Sequence, residues 1–191
     1  MIDSYTNIKE PIPMTFYLYH YFDRDIGPFR NLSKLTSAES EVVSNQIRLK
    51  GNTFASRRSE DYMSIRRELE SLARNQFIAK GGNPRNSFPH YMTLGSCDWL
   101  KTWYTSPDVI EIPWDQFAVE SVSFTYGDLF PTMRYQDDKP YRKQVYTKLE
   151  IVELIDKYGF PQDWNRDGDK GPERYIEAQI WDEKVIERYL V

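Results

Sequence analysis

The chain has 191 residues, 40% of them apolar and 15% aromatic, which is enough for one sizeable core and short for two. With 25 basic against 29 acidic residues the net charge is -4, too balanced for a protein that lives by wrapping nucleic-acid backbone. A single cysteine, Cys97, excludes an intrachain disulfide framework.

The opening residues lack both a basic start and an apolar run, and no 18-residue apolar stretch occurs, which argues against secretion and membrane spanning. The cytoplasm is the expected compartment. Residues 1–13, polar and holding Pro11 and Pro13, read as a flexible arm before a single domain over 14–191.

Met14 to Phe22 is almost wholly aromatic or β-preferring and reads as a buried strand, followed by a turn at Gly27-Pro28. Thr36 with Glu39 makes a capping box for a helix over 37–50 that Gly51 ends. Tyr62, Ile65, Leu69, Leu72, Gln76 and Phe77 recur at three- and four-residue steps, predicting a second helix capped by Ser59 and stopped by Gly81-Gly82.

Further on, 88–94, 109–112, 122–126 and 174–181 read as strands and 98–104 as a short aromatic helix. Residues 127–146 read as irregular. Thr147 and Glu150 form another capping box, before a helix whose apolar face is Leu149, Val152, Leu154 and Ile155, and a short helix is expected over 182–189. Short strands interrupted irregularly by helices predict an α+β fold, a mixed sheet of about five strands with flanking helices, rather than a doubly wound parallel sheet.

Several segments that resemble chemical motifs fail on inspection. Residues 163–169 match the first half of a calcium loop, but position twelve is Arg174 where a bidentate carboxylate belongs, so no metal is expected there. His20, His90 and Cys97 lie far apart in sequence, and Gly81-Gly82 is followed by Asn83-Pro84 rather than by a phosphate loop's Lys and helix. Arg57, Arg58, Arg66, Arg67 and Arg74 form the best anion-binding cluster. Glu60, Glu68 and Glu70 interleave with them, which is also the pattern of an exposed salt-bridged face.

Three stretches pair an aromatic strand with polar groups: Leu18-Tyr-His20-Tyr-Phe, Ser123-Phe-Thr-Tyr-Gly127-Asp128 and Arg174-Tyr-Ile-Glu177-Ala-Gln-Ile-Trp. Alternation points Tyr175, Glu177 and Gln179 to one face, and Ile176, Ala178 and Ile180 to the other. A carboxylate in such a strand either faces solvent or is retained in a cleft with partners.

In these three stretches the chain resembles the DNA-targeting ADP-ribosyltransferase toxins of DarT type, and as a whole it is similar to a family of bacterial proteins without an assigned activity. The toxin likeness implies NAD as the cofactor and Glu177 as the carboxylate beside the charge that develops at the nicotinamide ribose. It also implies His20 on the adenosine-side ribose, Arg57 or Arg58 on the pyrophosphate, and Tyr91 and Tyr126 stacked on the nicotinamide ring.

Two other readings stand beside this one. A non-catalytic binding or regulatory module would use the five Trp and fourteen Tyr as a partner surface. A nucleic-acid-processing protein would set the Arg-rich helix on phosphates and aromatics on unpaired bases. Catalysis predicts that Glu177, His20 and an Arg share one concave pocket; a binding module predicts that they lie apart and that a flat aromatic patch dominates; nucleic-acid processing predicts a continuous basic groove.

Overall fold

The computed structural model describes residues 15–51 and 53–190, so the arm expected over 1–13 lies outside the described residues. Five strands, β1 (Tyr17–Asp23), β2 (His90–Leu94), β3 (Pro107–Pro113), β4 (Val122–Thr125) and β5 (Ile176–Ile180), form one sheet in the order β3-β1-β2-β5-β4. The fold is α+β, and every pairing is antiparallel where a mixed sheet was expected. The last strand in sequence is thus an inner one, bonded to β2 on one edge and β4 on the other.

Among the described residues five helices flank the sheet: α1 (Ser37–Lys50), α2 (Tyr62–Ala79), α3 (Leu129–Arg134), α4 (Lys148–Tyr158) and α5 (Pro161–Trp164). Both capping boxes form, Glu39 and Glu150 each reaching back to the N–H of its threonine at 2.9 and 2.8 Å. Ser59 does not cap α2. A 3-10 turn at Phe54–Arg57 precedes that helix, and the Ser59 carbonyl accepts from Tyr62 N–H instead.

The stretch 127–146 contains α3, because the Asp128 carboxylate accepts from Phe130 N–H (2.8 Å) and starts a helix. The expected C-terminal helix is one 3-10 turn, Ile186–Tyr189. Among the described residues no helix is long and apolar enough to cross a membrane.

One face of the sheet presents Leu18, Met92, Leu94, Ile112, Phe124, Ile176, Ala178 and Ile180 to α4, which contributes Ile151 and Ile155. Leu149, expected on that apolar face, is 80% exposed. The buried stripe runs instead through Lys148, Ile151 and Ile155, spaced three and four residues apart, and the Lys148 ammonium donates to the carbonyls of Trp114 (2.7 Å) and Phe117 (2.5 Å). The opposite face is covered by α2 and α3: Ala73 and Phe77 meet Leu129, Met133, Val145 and Trp181.

The loop that half-matches a calcium site is closed by a side-chain amide. Asn165 donates to the carbonyls of Gly171 (2.9 Å) and Glu173 (2.6 Å) and accepts from Lys170 N–H (2.8 Å). Its role in the fold is to hold the chain in place before β5.

Candidate active site

The strand register decides which side chains meet. Across the sheet, Glu111, Tyr19, Thr93, Glu177 and Thr125 form one row, each paired with the next. Side chains in a row share a face, so Glu177 projects toward α2 and α3, together with Tyr91, Gln179 and Ser123 one step along.

Glu177 does not face solvent: it is 6% exposed. Its Oε1 accepts from Leu129 N–H at the start of α3 (3.1 Å) and from Gln179 Nε2 (3.2 Å). A chain of donors feeds this contact. Trp181 Nε1 donates to Ser123 Oγ (2.8 Å), Ser123 donates to Gln179 Oε1 (2.9 Å), and the Gln179 amide donates to both Glu177 and Thr125 Oγ1 (3.0 Å). Gln179 is thereby fixed in one amide orientation.

Oε2 of Glu177 has no hydrogen-bond partner among the described residues. No Lys, Arg or His side chain among them forms an ion pair with the carboxyl group. Burial, reinforced by the nearby charge of Asp128, pushes Glu177 well above the usual carboxylate range. The bonds from Gln179 and Leu129, and the positive charge of Arg66, oppose that rise.

Asp128 accepts from Phe130 N–H and from the Tyr175 hydroxyl (2.9 Å), so two carboxylates are held by successive amides of the first turn of α3. Behind them, on α2, fully buried Glu70 takes three donors on Oε1: Tyr91 OH (2.7 Å), Arg66 Nε (2.9 Å) and Ser33 Oγ (3.0 Å). Arg66 also lies 4.8 Å over the Tyr91 ring.

Because its native carboxyl keeps a proton that the unfolded chain has already released, Glu177 adds stability below about pH 4.5. That contribution is lost as pH rises through the elevated native value. Glu177→Gln, which preserves both bonds to Oε1, is therefore expected to raise stability by about 1 kcal/mol or more at pH 8 and to leave it little changed near pH 4.5. Denaturant midpoints at the two pH values check this; an equal or opposite effect at pH 8 would refute it.

The structure brings together only part of the constellation read from the sequence. Tyr91 shares the face of Glu177, its hydroxyl committed to Glu70 and its ring covered by Arg66. His20 does not share that face. It follows Tyr19 by one residue and therefore projects to the opposite side of the sheet. There Nδ1 donates to the Tyr91 carbonyl (2.9 Å), Nε2 accepts from Phe29 N–H (2.8 Å), and the ring stacks on Phe29 at 4.0 Å. Ladder pairing between β1 and β2 ends at Tyr19 and Thr93, and the imidazole continues the link beyond it.

Tyr126 is likewise in the α4 and α5 core, donating to the Gly159 carbonyl (2.6 Å) and packed on Tyr141. Its assignment to a ring-stacking role beside Glu177 is corrected on the same ground as that of His20. Arg57 is exposed, and Arg58 lies 4.4 Å over Tyr62.

The rest of the arginine cluster serves packing. Arg67 donates to the Leu35 carbonyl (2.7 Å) and the hydroxyls of Ser37 and Ser40, while Arg74 donates to the carbonyls of Asn86 and Pro84. These bonds fasten α2 to its neighbours.

No protein-family model, curated protein or solved structure matches this chain.

Asp128, Glu70 and Gln179 stand in the sequence patterns named above, but none is assigned there to the site. The available signal was paired alternation: Ser123 and Thr125 in one strand, Glu177 and Gln179 in another, each polar at every second position. Two such strands side by side make a polar interior face, which a single strand cannot announce.

Proposed function

We propose that the face around Glu177 is a catalytic cleft for cleaving a glycosidic bond beside a developing positive charge, the chemistry of an ADP-ribosyltransferase or NAD glycohydrolase. The observation that carries this reading is the asymmetry of Glu177: one carboxyl oxygen fixed by two donors, the other without a hydrogen-bond partner among the described residues. Elevated carboxyl groups with a specific charged neighbour are a feature of catalytic sites.

The residues suit NAD only in part. Glu177 and the carboxylate of Asp128 suit a ribosyl centre that becomes cationic as neutral nicotinamide leaves, whereas His20 and Tyr126 have their polar atoms bonded elsewhere and face the other side. NAD would supply a ribosyl carbon at which positive charge develops. On this reading Glu177, whose burial favours the protonated form, gives up its proton to solvent when the cationic nicotinamide ring is held beside it. It then spreads negative charge toward that cation through Oε2 and accepts the proton of the incoming nucleophile. Asp128 and Tyr175 keep the pair of carboxyl groups in place, and the Gln179 amide fixes the rotamer.

Two measurements test the proposal. Nicotinamide release from NAD should be detectable for the wild type and fall roughly 100-fold or more in Glu177→Gln, a variant expected to fold. Affinity for NAD should increase as pH rises, since the ionised carboxyl attracts the positively charged nicotinamide ring. Absence of turnover together with no thermal shift at millimolar NAD would overturn the reading, as would equal turnover by the variant.

A further inference from the structure

The hydrogen bonds of Glu177 fix where its proton sits. A neutral carboxyl group has one O–H donor, and its other oxygen only accepts. Oε1 already accepts from Leu129 N–H (3.1 Å) and Gln179 Nε2 (3.2 Å), so a proton there would compete with two donors. The proton therefore belongs on Oε2, which has no hydrogen-bond partner among the described residues. The group is 6% exposed and forms no ion pair with a cation among those residues, so burial holds it in the neutral form.

Asp128 is arranged the other way. Both of its oxygens accept, Oδ1 from Phe130 N–H (2.8 Å) and Oδ2 from the Tyr175 hydroxyl (2.9 Å), which is the pattern of an ionised carboxylate. It is partly exposed, whereas Glu177 is buried. Because the two groups are held on successive backbone amides, a neutral acid and an anion stand side by side. Neighbouring carboxyl groups whose environments differ in this way divide into a general acid and an anionic partner.

This division decides which leaving group suits the free protein. Nicotinamide departs from NAD as a neutral molecule without being protonated, and makes no use of the proton on Oε2. The base of an ordinary nucleoside departs as an anion unless an acid protonates it.

We propose that the site also hydrolyses ribonucleosides with uncharged bases, Glu177 Oε2–H serving as general acid and Asp128 as the anion beside the ribosyl carbon. The proposal rests on the reading above that the site cleaves at a ribosyl carbon. The bond from that carbon to the base nitrogen breaks with its electron pair going to the base, which takes the Oε2 proton and leaves neutral. Water adds to the ribosyl carbon and gives a proton to Asp128, from which it returns through solvent to Glu177. Ribose and the free base are the products.

The two activities need opposite protonation states of one carboxyl group, so their pH dependences have opposite signs. Nucleoside hydrolysis falls as pH rises through the elevated Glu177 value, while affinity for NAD rises. The other charged or titratable groups around it are Asp128 before α3, Tyr175 just before β5, Tyr91 on β2, and Glu70 and Arg66 on α2. Burial pushes both tyrosines well above the usual tyrosine range, and Glu70 and Arg66 are paired with each other at 2.9 Å.

Chromatography of the hypoxanthine released from inosine tests the proposal, alongside p-nitrophenyl β-D-ribofuranoside, whose phenolate leaves without a proton. Inosine hydrolysis by the wild type should fall at least about tenfold between pH 6.5 and 9. Glu177→Gln, which has no proton to donate, should lose roughly 100-fold or more on inosine, and at least about tenfold less than that on the nitrophenyl riboside. Turnover of NAD or of the nitrophenyl riboside without turnover of inosine would overturn this proposal and leave the reading of the site standing. Turnover of none of the three would overturn both. An inosine rate that rises with pH, or an equal loss on the two ribosides in Glu177→Gln, would also overturn the assignment of Glu177 as the acid.

Discussion

Replacing Glu173 by alanine is expected to destabilise the protein by about 3–5 kcal/mol, the usual cost of removing one member of a buried ion pair. Glu173 is fully buried just before β5; its carboxylate forms an ion pair with Arg142 Nη2 (2.6 Å) and accepts from Lys139 Nζ (3.1 Å). Arg142, itself buried, also holds Asp137 through two bonds of 2.7 Å. Gly171 and Gly127 both pack against Glu173: a Cβ at the first would lie 2.5 Å from its Oε2, and one at the second 3.4 Å from its Cγ.

Removing the carboxylate strands a guanidinium that already has one buried nitrogen, Nη1, without a partner. At about 2–4 °C per kcal/mol for a chain of this size, the melting temperature should fall by roughly 10 °C or more. Arg142→Met in the same background should recover part of the loss, because it removes the uncompensated charge. A fall of less than about 1 kcal/mol in Glu173→Ala, or strict additivity in the double variant, would show that the network carries little of the stability. The effect reaches the candidate site as well, since Gly127 directly precedes Asp128.

Local signals in the sequence predict local structure here. Threonine with glutamate three residues on marks the start of α1 and of α4, and alternation along β5 correctly separates Glu177 and Gln179 from Ile176, Ala178 and Ile180. The burial of Glu177 was not readable. It depends on β5 lying between β2 and β4 and on a helix more than a hundred residues earlier covering that face, and neither leaves a trace in the strand itself.

His20 fails for a related reason. Its own strand shows that it shares a face with Leu18, but which face Glu177 takes relative to Leu18 depends on register carried through β2. Leu149 shows the reverse error, in which a strongly apolar residue at the first turn of a helix is exposed while a lysine beside it is buried and bonded to two carbonyls. Hydrophobicity ranks candidates for burial, but the docking angle of the helix selects among them.

Acidification should destabilise the fold through its two histidines. His20 and His90 flank Phe29, the first stacked on it at 4.0 Å and the second edge-on at 5.8 Å. Burial pulls His20 down to about 4, against the bond to the Tyr91 carbonyl. Burial also pulls His90 down to about 4, helped by the positive charge of Lys34 and by His20 and Arg66. His90 Nε2 meets Glu183 Oε1 at 2.8 Å, but Lys34 pairs with the same carboxylate and offsets its pull.

An unfolded histidine protonates near pH 6.5, so between about 6.5 and 4 the unfolded chain binds protons that the native state refuses. Stability is intact above that window, declines as pH falls through it, and reaches its full loss at about pH 4. At about 1.4 kcal/mol per unit, each ring accounts for on the order of 3 kcal/mol, and the two together rival a typical folding free energy of about 5–15 kcal/mol. Urea midpoints recorded from pH 7.5 to 4 should fall steeply. The histidine Cε1 proton resonances of the native state should stay at their neutral positions until the protein unfolds. Two rings titrating near pH 6.5 in the folded protein would sink this account and, with it, the placement of His20 as a neutral link between β1 and β2.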